Sequence, residues 1–312
     1  MQNLYGENTK NKILSRLFTK AEIAWGLSDI SKSIGPMIDL IFISQFIGIN
    51  GVTVMGYVAP LIILLGLIGT SVSNGARVKT APFLGSGDIV EANRIFSNAV
   101  IFGVSLSFLT ALFVTIFSST VCFVLGVRDS NILITRQYIY GYIIGLPFLT
   151  LTRILSPYLE LEGRYRRVVI SSFMMTFVDI AADAFVIFVL HGGMFELGLA
   201  TSLSYIVSFL IEASFFFNKK SKSTFRVSMK GVESKTCLDL LKLGSPSVIY
   251  KGSNALGGIL INNLLTSYNM PYLIAAYGIF IQISSYVRSM WSSSAINLLV
   301  FSGIFIGEED KN

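Results

Sequence analysis

Long apolar runs alternate with short polar segments along the whole chain. Eight runs can be drawn, at approximately 21–47, 52–76, 95–123, 132–155, 168–190, 197–217, 240–265 and 272–306. Each is about 20 residues or longer, enough to cross a hydrocarbon core of about 30 Å as a helix. A segment alone in lipid has to satisfy its backbone internally, so the pattern predicts helices rather than strands. The last run is long enough to extend beyond a bilayer.

The basic residues fall between the runs, and unevenly. With the amino terminus placed in the cytoplasm, the inner segments collect Lys10, Lys12, Arg16 and Lys20, then Arg77, Lys79 and Arg94, then Arg164, Arg166 and Arg167. The segment after the sixth run adds Lys219, Lys220, Lys222, Arg226, Lys230, Lys235 and Lys242, and the outer side keeps Arg128 and Arg136. This is the asymmetry expected of a membrane protein with a cytoplasmic amino terminus. Composition agrees: 53% of the 312 residues are hydrophobic and 13% charged, against roughly 25% charged in soluble domains. The net charge of +6 is accounted for by these loops and gives no reason to invoke nucleic acid. The polar start, 1–20, has no short apolar core with a cleavage site, so no removable signal peptide is expected. Cys122 and Cys237 form no metal or disulfide pattern.

The chain also repeats itself. Met55-Gly56-Tyr57-Val58 opens the second run and Ala276-Tyr277-Gly278-Ile279 the eighth. Phe83-Leu84-Gly85-Ser86-Gly87-Asp88 follows the one, and Phe305-Ile306-Gly307-Glu308-Glu309-Asp310 the other. Six helices separate the copies, so they share one orientation, as parallel repeats do in secondary transporters. The expected fold class is an all-α integral membrane protein of about eight transmembrane helices, one six-helix lobe plus the first two helices of a second, parallel repeat. The expected units are a cytoplasmic segment 1–20, an amino-terminal lobe 21–217, a basic cytoplasmic linker 218–239 and a partial second lobe 240–312. Four further spans would complete that repeat, so the chain reads as truncated after its eighth helix.

Ionisable residues inside spans are costly and point to function unless they pair structurally. The first run holds Asp29, Lys32, Pro36 and Asp39 at spacings of three and four, hence on one helical face. Asp29 and Lys32 either pair with each other or belong to a polar site. The fifth run holds Ser172, Thr176, Asp179 and Asp183 on one face. Two carboxyls one turn apart in low dielectric do not both ionise readily, so one takes a proton near neutrality or the two share a cation. Pairing with Arg153 or Lys32 is the plainer alternative. The sixth run offers Thr201, Ser204, Ser208 and Glu212 on one face, with Glu212 expected at the inner interface in contact with water. Lys251, Asn254 and Arg288 are embedded in the last two runs, with no acid between 240 and 307. His191, beside Gly192-Gly193, is a turn residue. No nucleotide loop, zinc spacing or nucleophile–base set is present, and Gly85-Ser86-Gly87-Asp88 lacks the lysine of a phosphate loop. No enzymatic activity and no cofactor are expected, and an ion gradient would supply the energy.

These motifs together resemble the multidrug and toxic compound extrusion (MATE) family. Met37-Ile38-Asp39-Leu40-Ile41-Phe42-Ile43-Ser44 with Gly48 is similar to its first helix. Gly85-Ser86-Gly87-Asp88 with Glu91-Ala92 is similar to the loop after its second. Asp179-Ile180-Ala181-Ala182-Asp183 resembles its Asn/Asp-x-x-x-Asp stretch, Leu197-Gly198-Leu199-Ala200-Thr201 its Gly-x-Ala-Thr, and Leu243-Gly244-Ser245-Pro246 its Leu-Gly-x-Pro. The likeness runs from about Ser28 to Asp310. It implies a V-shaped carrier in the plasma membrane that exports cationic or amphipathic drugs in exchange for H+ or Na+. By position, Asp39, Asp179, Asp183 and Thr201 would form its cation site, with Na+ the one metal ion expected. Asn254 stands where some branches have a glutamate, so a second site at Asp29, Lys32 or Asn254 is a weaker expectation. The alternatives are a flippase for lipid-linked oligosaccharides, for which Lys32, Arg153, Lys251 and Arg288 would supply a cationic cavity, and a non-transporting fragment.

Overall fold

A computed structural model of the chain describes residues 19, 22–23, 26–28, 31, 34–128, 131–217, 223–228, 233–268, 272–284, 298 and 302. Among the described residues every regular element is helical. In chain order these are α1 (Ile34–Phe46), α2 (Ile49–Gly85), α3 (Ile89–Ile116), α4 (Ser118–Val124), α5 (Asn131–Ile143), α6 (Leu146–Leu161), α7 (Tyr165–Phe185), α8 (Met194–Phe217), α9 (Ser234–Ser267) and α10 (Tyr272–Ser284). A π turn, Val186–Leu190, prolongs α7.

Among the described residues four helices are long and apolar enough to cross a membrane: α2, α3, α7 with its π turn, and α8. The fourth apolar run is no single rod. It becomes α5 and α6, bent by 45° between them. Gly145 precedes Pro147, which sits in the first turn of α6, where a missing N–H costs nothing. Ser202 of α8 covers the break. Its Oγ donates towards the carbonyls of Gly141 (2.6 Å) and Tyr142 (3.0 Å) and accepts from the Gly145 N–H (2.8 Å). The third run is likewise divided at Phe117 into α3 and α4.

α2 is the central element. It is apolar around its circumference, the signature of an enclosed helix, and 67% of its most apolar stretch is buried, against 22% for α3 and 28% for α7. Phe108, Leu109, Leu112 and Phe113 of α3 are exposed apolar side chains, as expected of a lipid-facing surface. Around α2 pack α3, α6 and α9, while α8 packs against α5, α6 and α7. α9 lies backbone to backbone on α2: a Cβ at Gly75 would stand 2.0 Å from the Leu240 carbonyl oxygen, and one at Gly244 2.1 Å from that of Ser71. At the other end of α2, Gly278 approaches Gly56 as closely, a Cβ there falling 2.8 Å from the Gly56 Cα. The two glycines belong to the repeated segments read in the sequence.

The end of the bundle formed by the α2–α3 and α6–α7 turns, here the basic end, differs from expectation. α2 runs on to Gly85, so Arg77 and Lys79 are helical rather than in a loop. Arg77 is buried and ion-paired with Glu160 at 3.3 Å. α9 starts at Ser234, so Cys237 and Asp239 lie in a helix rather than in the linker 218–239. Both cysteines are free and buried. Residues 223–228 of that linker form a docked strap. Phe225 is 1% exposed, its ring 5.5 Å from Phe96 and 4.8 Å from Tyr158. Asn93 donates to the Thr224 carbonyl and accepts from the Arg226 N–H, both at 2.7 Å. Glu162 Oε1 accepts from the N–H groups of Thr224 (2.6 Å) and Phe225 (3.2 Å) and from the Ser223 hydroxyl (2.9 Å). Ser97 accepts from the Ser228 N–H and Asn98 from the Glu233 N–H, while Arg94 pairs with Glu233. Residues 285–297, with Arg288, and 303–312, with the second copy of the loop motif, lie outside the described residues.

Candidate cation site

The site grows out of the seam between α1 and α7. Near the basic end the Ser28 hydroxyl meets that of Ser172 at 2.5 Å. One turn on, Ser31 Oγ donates to Thr176 Oγ1 at 3.1 Å, and Thr176 Oγ1 bonds to the Ser31 carbonyl at 2.8 Å. These bonds fix the phase of both helices, so the next positions along each also face one another. Gly35 comes opposite Asp179; a Cβ there would stand 3.0 Å from Asp179 Oδ2. Asp39, one turn further along α1, faces Asp183, one turn further along α7. α8 closes the third side, its Thr201 and Ser204 hydroxyls beside the Asp179 carboxyl. α5 brings Tyr138 within electrostatic reach of all three acids. Tyr142 and Tyr205 lie behind, their hydroxyls 3.4 Å apart.

Asp39, Asp179, Asp183 and Thr201, named from the sequence, therefore meet in one place, with exposures of 6%, 7%, 2% and 8%. Each of the three carboxyls has a buried Oδ1 without a hydrogen-bond partner. Thr201 Oγ1 bonds to the Leu197 carbonyl (3.3 Å) and Ser204 Oγ to that of Thr201 (2.8 Å). Both hydroxyls thus lie between a backbone carbonyl and the Asp179 carboxyl, and each oxygen keeps acceptor capacity. Among the described residues no Lys or Arg forms an ion pair with any of the three acids. A buried carboxylate without a counter-charge costs several kcal/mol or more, so such a group holds a proton or a cation. The acids do not converge as a chelate: among the described residues no three acidic, His or Cys side chains could hold one metal ion together. The arrangement is a facing carboxyl pair, Asp39 and Asp183, with Asp179 and two hydroxyls one turn away.

Other expectations fare differently. Arg153 is no partner of the acids; its guanidinium bonds to the Gly66 carbonyl (3.3 Å) and Thr70 Oγ1 (2.6 Å). Glu212 is not at a wet interface. It is 1% exposed, and Oε1 accepts from Ser156 (2.8 Å) and Ser171 (2.9 Å), tying α8 to α6 and α7. Asn254 lies on an exposed face of α9, where Nδ2 donates to the Tyr250 carbonyl, and α9 packs on α2 and α3. Asp29 and Lys32 lie outside the described residues. Sequence reasoning missed Gly35 and Tyr138. Gly35 stands four residues before Asp39 and shares its face, a signal that was available. Tyr138 and Tyr142, also four apart, are polar-tipped residues on one face of an apolar run.

Bundle and site together define an all-helical integral membrane protein with a cluster of buried acids at a helix junction. The sequence profile of the MatE family matches residues 25–185, and the chain belongs to that family. It is 21% identical over 291 residues to a "Probable multidrug resistance protein YoeA" of Bacillus subtilis (strain 168), a match covering 91% of this chain and 63% of that protein. It is 20% identical over 243 residues to a "Multidrug export protein MepA" of Staphylococcus aureus (strain NCTC 8325 / PS 47), covering 78% and 54%. The chain thus spans less than two-thirds of the length of these relatives. Its fold matches the "Structure of MATE multidrug transporter DinF-BH in complex with R6G" with a TM-score of 0.86 at 18% identity, over 94% of this chain and 66% of that one.

Proposed function

We propose that the protein is a secondary-active exporter of cationic or amphipathic small molecules, driven by exchange for a monovalent cation. Asp183 takes up that cation, Asp39 and Asp179 set its affinity, and Thr201 is a neutral ligand. The observation behind this reading is the trio of buried Oδ1 atoms without partners. Each calls for a proton or a cation, and uptake of one would change the charge of the α1–α7–α8 junction. The facing pair suits a shared proton better than a chelated metal, so H+ is the first choice over Na+. The names of the two relatives support drug export; the cationic or amphipathic character of the cargo is part of the proposal. In the proposed topology eight spans start from a cytoplasmic amino terminus in the plasma membrane, with 21–217 as one lobe and 240–312 as the start of a second. The flippase reading is disfavoured by Arg153, whose guanidinium is engaged between helices.

The test is ethidium efflux from cells expressing the gene, with the pH gradient imposed and then collapsed. Efflux that follows the gradient and falls at least tenfold in Asp183→Asn is the expected result. Efflux unchanged by that substitution overturns the assignment of Asp183.

A further inference from the structure

We infer that the arginines at the start of α7 bind the headgroup of an anionic phospholipid. Arg164 and Arg167 each hold their guanidinium 5.3 Å from the centre of the Phe215 ring, the arrangement of a cation on an aromatic face. Arg167 is further fixed by bonds from Nη1 to the Ile211 carbonyl (3.2 Å) and Ser214 Oγ (2.8 Å). Two positive groups thus share one ring at the end of a long apolar helix, and Arg166, between them in sequence, is exposed. The nearest acids in sequence are occupied elsewhere: Glu160 pairs with Arg77 and Glu162 is bonded to the strap. Among the described residues no carboxylate pairs with Arg164, Arg166 or Arg167.

The surface beyond them has the opposite character. Ile170, Phe173 and Phe177 are 56%, 48% and 65% exposed. Their spacing of three and four sets them in one stripe along α7, and Arg166 heads it one turn before Ile170. Negative charge is wanted at the head of the stripe and acyl chain along it. A phospholipid with a net negative headgroup supplies both in one molecule, whereas a soluble phosphate supplies only the first. Ordinary enrichment of basic residues at a membrane boundary needs neither the shared aromatic seat nor the aligned stripe.

The test uses the purified full chain, delipidated in an uncharged detergent, with retained lipid counted by native mass spectrometry. Phosphatidylglycerol should be retained about tenfold or more over phosphatidylcholine at equal concentration, and the preference should shrink as salt rises. The variant Arg164→Gln/Arg166→Gln leaves the bonds of Arg167 in place and should bring the two lipids level. Equal retention of both lipids by the wild-type protein overturns the inference, as does an undiminished preference in the variant. Displacement of phosphatidylglycerol by millimolar inorganic phosphate alone also overturns it, showing a phosphate site without use for the chains.

Discussion

The seam of α1 and α7 and the strap at the basic end are both built from polar side chains between helices, yet they are finished differently. At the strap, a buried aromatic plug is surrounded by side chains matched to backbone. Asn93 both donates and accepts, and one oxygen of Glu162 takes three donors. At the seam Ser28, Ser31, Ser172 and Thr176 pair with one another, and beyond them come three acids that each have a bare oxygen. A buried polar group left unpaired costs about 1–3 kcal/mol, and here three such carboxyl oxygens fall at one junction. The proposed function assigns these open carboxyl oxygens to a proton or cation that comes and goes. The strap therefore bears on stability, and the acids are where the proposed exchange would act.

Substitutions in the two regions should then separate these properties. The largest effect expected is the loss of gradient-driven efflux in Asp183→Asn, without a lower unfolding temperature, because an amide has the shape of the protonated carboxyl and needs no counter-charge when buried; efflux and thermal unfolding measured on the same variant check both halves. Next comes Phe225→Ala, which empties a buried aromatic site and should cost about 3–5 kcal/mol of stability, read as a lower unfolding temperature. Asn93→Ala should follow at about 1–3 kcal/mol, for two lost bonds to the strap backbone, seen also as faster hydrogen exchange at Thr224 and Arg226. The smallest effect concerns Asp239. The Lys79 ammonium bonded to it at 2.6 Å holds its carboxyl below the usual carboxylate range. A depressed folded value means the contribution is complete above about pH 4 and fades as pH falls through that lower value. Asp239→Asn should flatten this acid limb of the stability profile and leave neutral pH nearly untouched. If the strap variants abolished efflux without loss of stability, the division between the two regions would fail.

Much of this was legible in the sequence. Apolar length alone announced α2, α3, α7 and α8, and helical spacing placed Asp179 and Asp183 on one face. Asp39 stood out as an acid deep in an apolar run. The break between α5 and α6 was not read, because an unbroken apolar run hides a bend that Ser202, far along the chain, makes tolerable. The strap was not readable, because 223–228 is polar and short and its partners Asn93, Ser97 and Glu162 lie on other helices. Glu212 was misjudged for the same reason. Distance from the end of a run says nothing of two serines brought to it by α6 and α7.

The π turn at the end of α7 bears on how this protein can change over generations. Such a turn stores one surplus residue within a helix, and here it lies between Asp183 and the left-handed His191 that ends the helix. A residue gained or lost in 186–193 would be absorbed in winding or unwinding that turn. The helix before it would keep its phase, and the two aspartates would still point at α1. Insertions and deletions in the connection to α8 can therefore accumulate as drift, insulated from the buried acids one turn away.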